Sequence, residues 1–124
     1  MLDSKVLLGK IVQAICCHKA IAVEVLEVRD LAGYTDYLII CSGHSDRQVE
    51  AIADHVLADL AKERVAPLGV EGLPRAQWVL PDFGDVVVHV FHHPVRAFYD
   101  LEGLWQDAPR VPVADDREAA GAAT

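Results

Sequence analysis

The sequence is poor in cationic side chains. Eleven Lys and Arg residues stand against nineteen Asp and Glu, which gives the 124-residue chain a formal net charge of −8. Proteins that bind nucleic acid through its phosphates gather Lys and Arg on one face, whereas the basic residues here are scattered. This balance disfavours direct RNA binding and favours a basic protein as the partner.

Cysteine is scarce as well, and long apolar runs are missing. Cys16, Cys17 and Cys41 are odd in number and show no metal-type spacing, as is typical of free thiols in a reducing compartment. No stretch approaches the roughly 18 consecutive apolar residues of a membrane-spanning helix, and the N-terminus lacks the basic and then apolar pattern of a signal peptide. We therefore expect a cytoplasmic protein with no membrane partner.

What is present is the composition of one globular domain. Apolar residues make up 52% and charged residues 24% of a chain that can bury one core but not two. We assign residues 1–108 to a single α/β domain. The segment 109–124 is rich in Ala, Asp and Pro and has little apolar surface to bury, so we expect a disordered tail there.

Alternating helical and strand patterns predict a mixed sheet covered by helices. Apolar residues recur at the helical period over residues 4–18 and again after Ser45, where Ser45 and Gln48 have the spacing of a capping box. Pro94 can open one last short helix that carries the ring side chains up to Trp105. Strand patterns cover residues 20–28, 36–42, 65–70, 79–80 and 86–91. This order predicts an α/β sandwich.

The most informative stretch begins at Trp78 and contains both tryptophans. Within it, Asp82-Phe83-Gly84-Asp85 separates two apolar strands, and its glycine permits the positive φ of a tight reversal. Between Trp78 and Asp107, five acids stand against Arg96 alone, a local balance of −4. Because a tight turn is a poor place to bury a ring, we interpret Phe83 as part of a surface for a basic partner.

The last helix is interpreted differently. Phe98, Leu101 and Trp105 recur at helical spacing, which favours packing of these side chains in the core.

One motif invites a nucleotide-handling interpretation. Gly43-His44-Ser45 at a strand-to-helix junction could hold a phosphate, although Ser45 also fits a simple helix cap. Nucleotidyltransferases combine such a turn with two carboxylates that lie two residues apart on one face of a strand. Asp82 and Asp85 lie three apart in a turn and therefore do not share a face.

The histidines invite a metal interpretation, which is also weak. His89 and His92 have a strand spacing that points them to opposite faces, and neither they nor His93 have a Cys or an acid nearby to complete a zinc site. His89 fits a hydrogen-bonded histidine inside a sheet. We predict no catalytic residue, no cofactor and no metal.

Blocks of sequence in both halves carry a family resemblance. They are 35–45 (TDYLIICSGHS), 52–56 (IADHV), 67–72 (PLGVEG), Trp78, 82–91 (DFGDVVVHVF) and 96–105 (RAFYDLEGLW). Together they closely resemble the ribosomal silencing factor (Iojap) family, over about residues 5–108 and without large gaps.

The resemblance implies a fold like that of the nucleotidyltransferases without their catalytic carboxylate pair. It implies a non-enzymatic protein that binds the large ribosomal subunit through ribosomal protein fourteen, a basic protein, and sterically blocks association with the small subunit. Translation would thereby be repressed in starvation or stationary phase. A homodimer of the isolated protein is also implied. A large-subunit assembly factor and a nucleotide-binding transferase-like enzyme remain alternatives.

The family signature also implies site residues. Those assigned to contact with the ribosomal protein are Trp78, Asp82, Phe83, Gly84, Asp85, Tyr99, Glu102 and Trp105. Positions that match the first block and are interpreted as structural are Asp36, Gly43, Ser45 and Arg47.

Overall fold

The computed structural model describes residues 3–73 and 75–113. The helices are α1 (Ser4–Cys17), α2 (Asp46–Lys62), α3 (His93–Tyr99) and α4 (Leu101–Leu104). The strands are β1 (Ile21–Glu27), β2 (Tyr37–Gly43), β3 (Gly69–Glu71), β4 (Trp78–Asp82), β5 (Val86–His92) and β6 (Arg110–Val111). The strands form one six-stranded sheet in the order β3-β4-β5-β2-β1-β6, which confirms the predicted mixed α/β class.

The parallel pair β2 and β5 forms the middle of this sheet. Their register runs from Tyr37 opposite Val86 to Gly43 opposite His92, and the other strand pairs in the described part of the chain are antiparallel. Every residue of β2 is buried. A strand that is covered on both faces reads as a continuous apolar run, which is why the sequence predicted these two strands correctly.

We call the sheet face that α1 and α2 cover the closed face. Its core consists mainly of aliphatic side chains from both helices and from β2, β4 and β5. The start of α2 is fixed by the predicted capping box, because the Ser45 hydroxyl accepts a hydrogen bond from the Gln48 amide at 3.1 Å. The Gln48 side chain in turn accepts from the His44 amide at 2.7 Å.

We call the opposite face the open face. Its β1, β2 and β5 part is covered by the β1–β2 loop, α3, α4 and the segment that follows, and its buried residues include Leu26, Ile40 and Phe91. Its β4 part is covered less, because Trp78 and Leu80 stay only half-buried. Side chains alternate between faces along a strand, so Trp78, Leu80 and Asp82 all point to the open face.

The prediction of one last helix from Pro94 to Trp105 was wrong. Pro94 does lie in the first turn of a helix, but Asp100 has φ 48° and ψ 55°, which ends α3 and begins α4. The Asp100 carboxylate accepts a hydrogen bond from the Gly103 amide at 3.2 Å. A Cβ at Gly103 would overlap this carboxylate, so a larger residue at that position would require the Asp100 side chain to move.

The tail prediction was wrong at its beginning. Arg110 and Val111 pair with Leu26 and Val25 and add an edge strand to the sheet, two residues beyond the boundary placed at 108. The rest of the predicted tail, 114–124, lies outside the described residues. The strand predicted at 65–70 forms at 69–71 instead. None of the helices in the described ranges is long and apolar enough to cross a membrane.

Candidate protein-interaction surface

Ring side chains from three elements meet on the open face. The Trp78 ring lies 4.8 Å from Phe91 and 4.6 Å from Tyr99 between centroids, and Phe98 meets Tyr99 edge-on at 5.2 Å. We call these four residues and His89 the aromatic cluster. Phe91 is fully buried, whereas Tyr99 is 49% and Phe98 82% exposed, so the prediction that Phe98 packs in the core was wrong. The cluster therefore runs from the core to solvent.

Local sequence explains why these rings meet. Trp78 lies opposite Phe91 in the antiparallel β4–β5 pair, which places their side chains on the same face. Pro94 lies in the first turn of α3, which follows β5 directly and packs against it. Tyr99 at the end of this helix consequently rests against Trp78.

His89 is a buried member of the cluster and is hydrogen-bonded to Trp78. Its Nδ1 atom accepts a hydrogen bond from the Trp78 indole N–H at 3.0 Å. Burial lowers the pKa of His89 to about 4, so the ring is neutral near pH 7 and can act as an acceptor. This confirms the prediction of a hydrogen-bonded histidine inside the sheet.

Arg96 links α3 to the sheet, a role that the sequence did not predict. The side chain is buried and donates to Glu102 at 2.7 Å, to the Ala22 carbonyl at 2.7 Å and to the Ser42 hydroxyl at 3.0 Å. The available signal was its position as the single cation of an acidic stretch. The Glu102 carboxylate is engaged by Arg96, and its predicted contact with a partner stays a prediction.

The interpretation of Phe83 as a surface ring was wrong. Gly84 has φ 88°, and the Asp82 carboxylate accepts a hydrogen bond from the Gly84 amide at 2.8 Å, which closes the predicted turn. Phe83 is 8% exposed and belongs to the closed-face core. It follows Asp82 directly, so its ring turns to the face opposite that carboxylate.

The predicted contact residues are thus brought together only in part. Trp78, Asp82 and Tyr99 share the open face, with Asp82 roughly 13 Å along β4 from Trp78 at the usual rise per residue. Trp105 follows α4 and packs half-buried against the open-face core, and Asp85 is exposed at the end of the sheet. No ion pair to Lys or Arg in the described part of the chain engages Asp82 or Asp85.

The chain is similar to known proteins over most of its length. A family model described as ribosomal silencing factor during starvation matches residues 2–124. The chain belongs to the ribosomal silencing factor family. Ribosomal silencing factors of Halalkalibacterium halodurans and Bacillus subtilis are each 44% identical to it, over 89% and 81% of this chain and 94% and 86% of theirs. A crystal structure of a Chromobacterium violaceum protein matches with TM-score 0.82 at 34% identity, over 85% of this chain and 88% of that one.

In this member of the ribosomal silencing factor family, the residues that suggested phosphate or metal binding make contacts within the protein itself. Ser45 caps α2, as the simpler interpretation predicted. His92 lies 3.3 Å from Asp46, and no group of three metal-ligating side chains in residues 3–73 and 75–113 could hold a metal. Burial raises the pKa of the Cys41 thiol to about 12, which keeps it protonated and unreactive.

Proposed function

We propose that the chain is a translational repressor of the cytoplasm that binds the large ribosomal subunit through ribosomal protein fourteen. Bound there, it occludes the small subunit and lowers translation in starvation or stationary phase. Membership of a family described by silencing during starvation supports this proposal. The net charge of −8 supports a basic protein rather than RNA as the direct contact.

The observation that carries the proposal is the exposed end of the aromatic cluster. Phe98 and Tyr99 present ring surface to solvent over a Trp78 that is already packed and hydrogen-bonded. Aromatic side chains on a rigid support provide much of the energy of protein interfaces. Asp82 on the same face has no basic partner among the described residues and favours a cationic surface.

This geometry narrows the contact residues expected from the sequence. We propose that Trp78, Asp82 and Tyr99 contact the ribosomal protein, that Phe98 extends this contact, and that Asp85 lies at its edge. The remaining residues of the predicted site have other roles in this proposal. Glu102 and Trp105 support the open-face helices, Gly84 closes the turn, and Phe83 packs in the closed-face core.

We also propose that the protein is not an enzyme. The α/β fold would then be a nucleotidyltransferase-like scaffold without the carboxylate pair. Asp82 is engaged by the turn, and Asp85 lies beyond the strand and three residues away. Calorimetry with nucleoside triphosphate and magnesium should give no heat of binding, and a saturable heat would contradict this part of the proposal.

The test is binding and function with purified subunits. We expect the chain to co-sediment with large subunits and to reduce their joining with small subunits. Tyr99→Ala should weaken both effects about tenfold, a typical cost for an interface aromatic. The matched control is Tyr34→Ala, since Tyr34 is 66% exposed but lies in the β1–β2 loop. Equal effects of the two substitutions would contradict the surface, and binding without reduced joining would indicate an assembly factor instead.

The homodimer is proposed on the same surface. Exposed rings of the isolated chain are available to a second copy, and Phe98 is the most exposed of them. Light scattering should show a dimer that Phe98→Asp converts to a monomer. A monomeric wild-type chain would contradict this part of the proposal without affecting ribosome binding.

A further inference from the structure

His89 is an unusual residue for its place in the fold. It lies in the middle of β5 between Val88 and Val90, is 7% exposed, and points into the open-face core beside Phe91. Burial of a polar ring without compensation costs free energy, and an aliphatic side chain would satisfy the packing here. The imidazole must therefore be explained by the bond that it makes.

That bond goes to the supporting ring of the candidate surface. The Trp78 indole N–H points at His89 Nδ1 at 3.0 Å, and the two ring centroids lie 5.8 Å apart. An acceptor at Nδ1 requires the neutral tautomer with its proton on Nε2. The lowered pKa of His89 agrees with this state at all pH values near neutrality.

The indole orientation has a consequence at the surface. Trp78 contacts Phe91 on its buried side and Tyr99 on its exposed side. Packing alone leaves a flat ring free to rotate or slide, whereas a hydrogen bond fixes the direction of its N–H edge. Tyr99 rests on this ring, so the bond determines where the exposed phenol is presented.

We propose that His89 is a positioning residue for the partner surface: it holds Trp78, and through Trp78 the exposed ring of Tyr99, in the orientation that a basic partner contacts. This inference rests on the proposed function, since it concerns the same surface. It assigns to a buried strand residue a role in recognition that neither its exposure nor its charge would indicate.

The test uses three substitutions at His89 in the full chain. In His89→Asn the side-chain oxygen occupies the place of Nδ1 and keeps the acceptor, although the smaller side chain leaves a void. His89→Leu fills the space but removes the acceptor, and His89→Gln carries its amide one atom further out, where Nε2 was. The nuclear magnetic resonance signal of the Trp78 indole N–H reports the bond directly, with Trp105→Phe as the background that leaves one indole.

We expect the His89 variant that binds large subunits best to be less stable than a variant that binds them poorly. His89→Leu and His89→Gln should shift the indole signal towards that of a solvent-bonded N–H and weaken co-sedimentation with large subunits about fivefold, the effect of one lost neutral hydrogen bond. His89→Asn should keep the signal and bind within about twofold of wild type, even though it unfolds at lower urea than His89→Leu.

Three results separate this inference from the proposed function. If wild-type and Tyr99→Ala chains behave as proposed but His89→Leu keeps the indole signal and full binding, His89 is only a core residue and the inference is overturned. If binding in the series follows the urea midpoint, it is overturned as well. If the wild-type chain does not bind large subunits, the proposed function fails, and the indole signal still decides whether His89 positions Trp78.

Discussion

The two faces of the sheet are built from the same strands but are covered to different extents. On the closed face, alternate residues of β5 (Val86, Val88 and Val90) are fully covered by helices of 14 and 17 residues. On the open face, the helices that follow β5 have 7 and 4 residues, and they leave the β4 side only half-covered. Long amphipathic helices complete a core, whereas short and interrupted ones leave ring surface accessible.

This difference separates stability from recognition within one small domain. Apolar contacts between the sheet and long helices supply most of the folding free energy of such a fold. The open face places Phe98 and Tyr99 where they contribute little to folding. Substitutions on the closed face should therefore change the free energy of unfolding, and those at the exposed end of the aromatic cluster should change binding.

The largest effect on stability is expected at Phe83. Phe83→Ala removes a ring from the closed-face core and should lower the free energy of unfolding by about 4 kcal/mol, as for other buried phenylalanines. Phe98→Ala, which truncates a ring that is mostly in solvent, should change it by less than about 0.5 kcal/mol. Urea unfolding measures both, and similar losses would mean that the two faces do not differ as described.

The second effect concerns the buried Arg96–Glu102 pair. Arg96→Met leaves the Glu102 carboxylate, the Ser42 hydroxyl and the Ala22 carbonyl without their donor, and should cost roughly 3 kcal/mol. Adding Glu102→Leu removes the uncompensated acid and should recover part of this loss. A double variant as unstable as Arg96→Met alone would contradict the explanation by an unpaired carboxylate.

The third prediction uses pH. Because burial lowers the pKa of His89 from 6.5 to about 4, the unfolded chain binds a proton in this range that the folded chain does not. Protonation of the unfolded chain therefore destabilises the fold as the pH falls below about 6.5. By pH 5 it should lower the free energy of unfolding by about 2 kcal/mol. His89→Leu is the control, since it lacks the titrating group. A wild-type pH profile that matches that of His89→Leu would contradict the assignment.

The smallest effect is expected for surface charge. Asp82→Asn keeps the acceptor for the Gly84 amide and removes only the charge on the open face. It should weaken binding to large subunits about threefold at low salt and less at high salt, as expected for an exposed charge at an interface. Asp85→Asn removes a charge at the strand end and should have a smaller effect. If Asp85→Asn weakened binding more than Asp82→Asn, the interface would lie closer to the turn than proposed.

Features with local causes could be predicted from the sequence. The Ser45–Gln48 box fixed the start of α2, because a helix cap involves residues three positions apart. The middle strands were recognisable because their burial on both faces leaves a continuous apolar run. The Asp82–Asp85 turn followed from its glycine, whose φ of 88° suits few other residues.

Other features could not. At the break between α3 and α4, Asp100 adopts a positive φ although it is not a glycine, which no spacing of apolar residues indicates. Arg96 binds the carbonyl of Ala22, 74 residues away in sequence. Phe83 was assigned to the surface because its position in a tight turn concealed that α1 and the α2–β3 connection supply a core for its ring. Tertiary contacts decided the cases of Arg96 and Phe83.

The central claim is that the aromatic cluster on the open face, and not the β1–β2 loop, the closed face or the strand ends, meets the large subunit. Hydroxyl-radical footprinting tests it directly, because it measures the solvent access of individual side chains with and without bound subunits. We predict that oxidation of Phe98 and Tyr99 falls on binding, while that of Tyr34 and Leu68, which are exposed elsewhere, stays unchanged. Protection of Tyr34 and Leu68 with continued oxidation of Phe98 and Tyr99 would contradict the account.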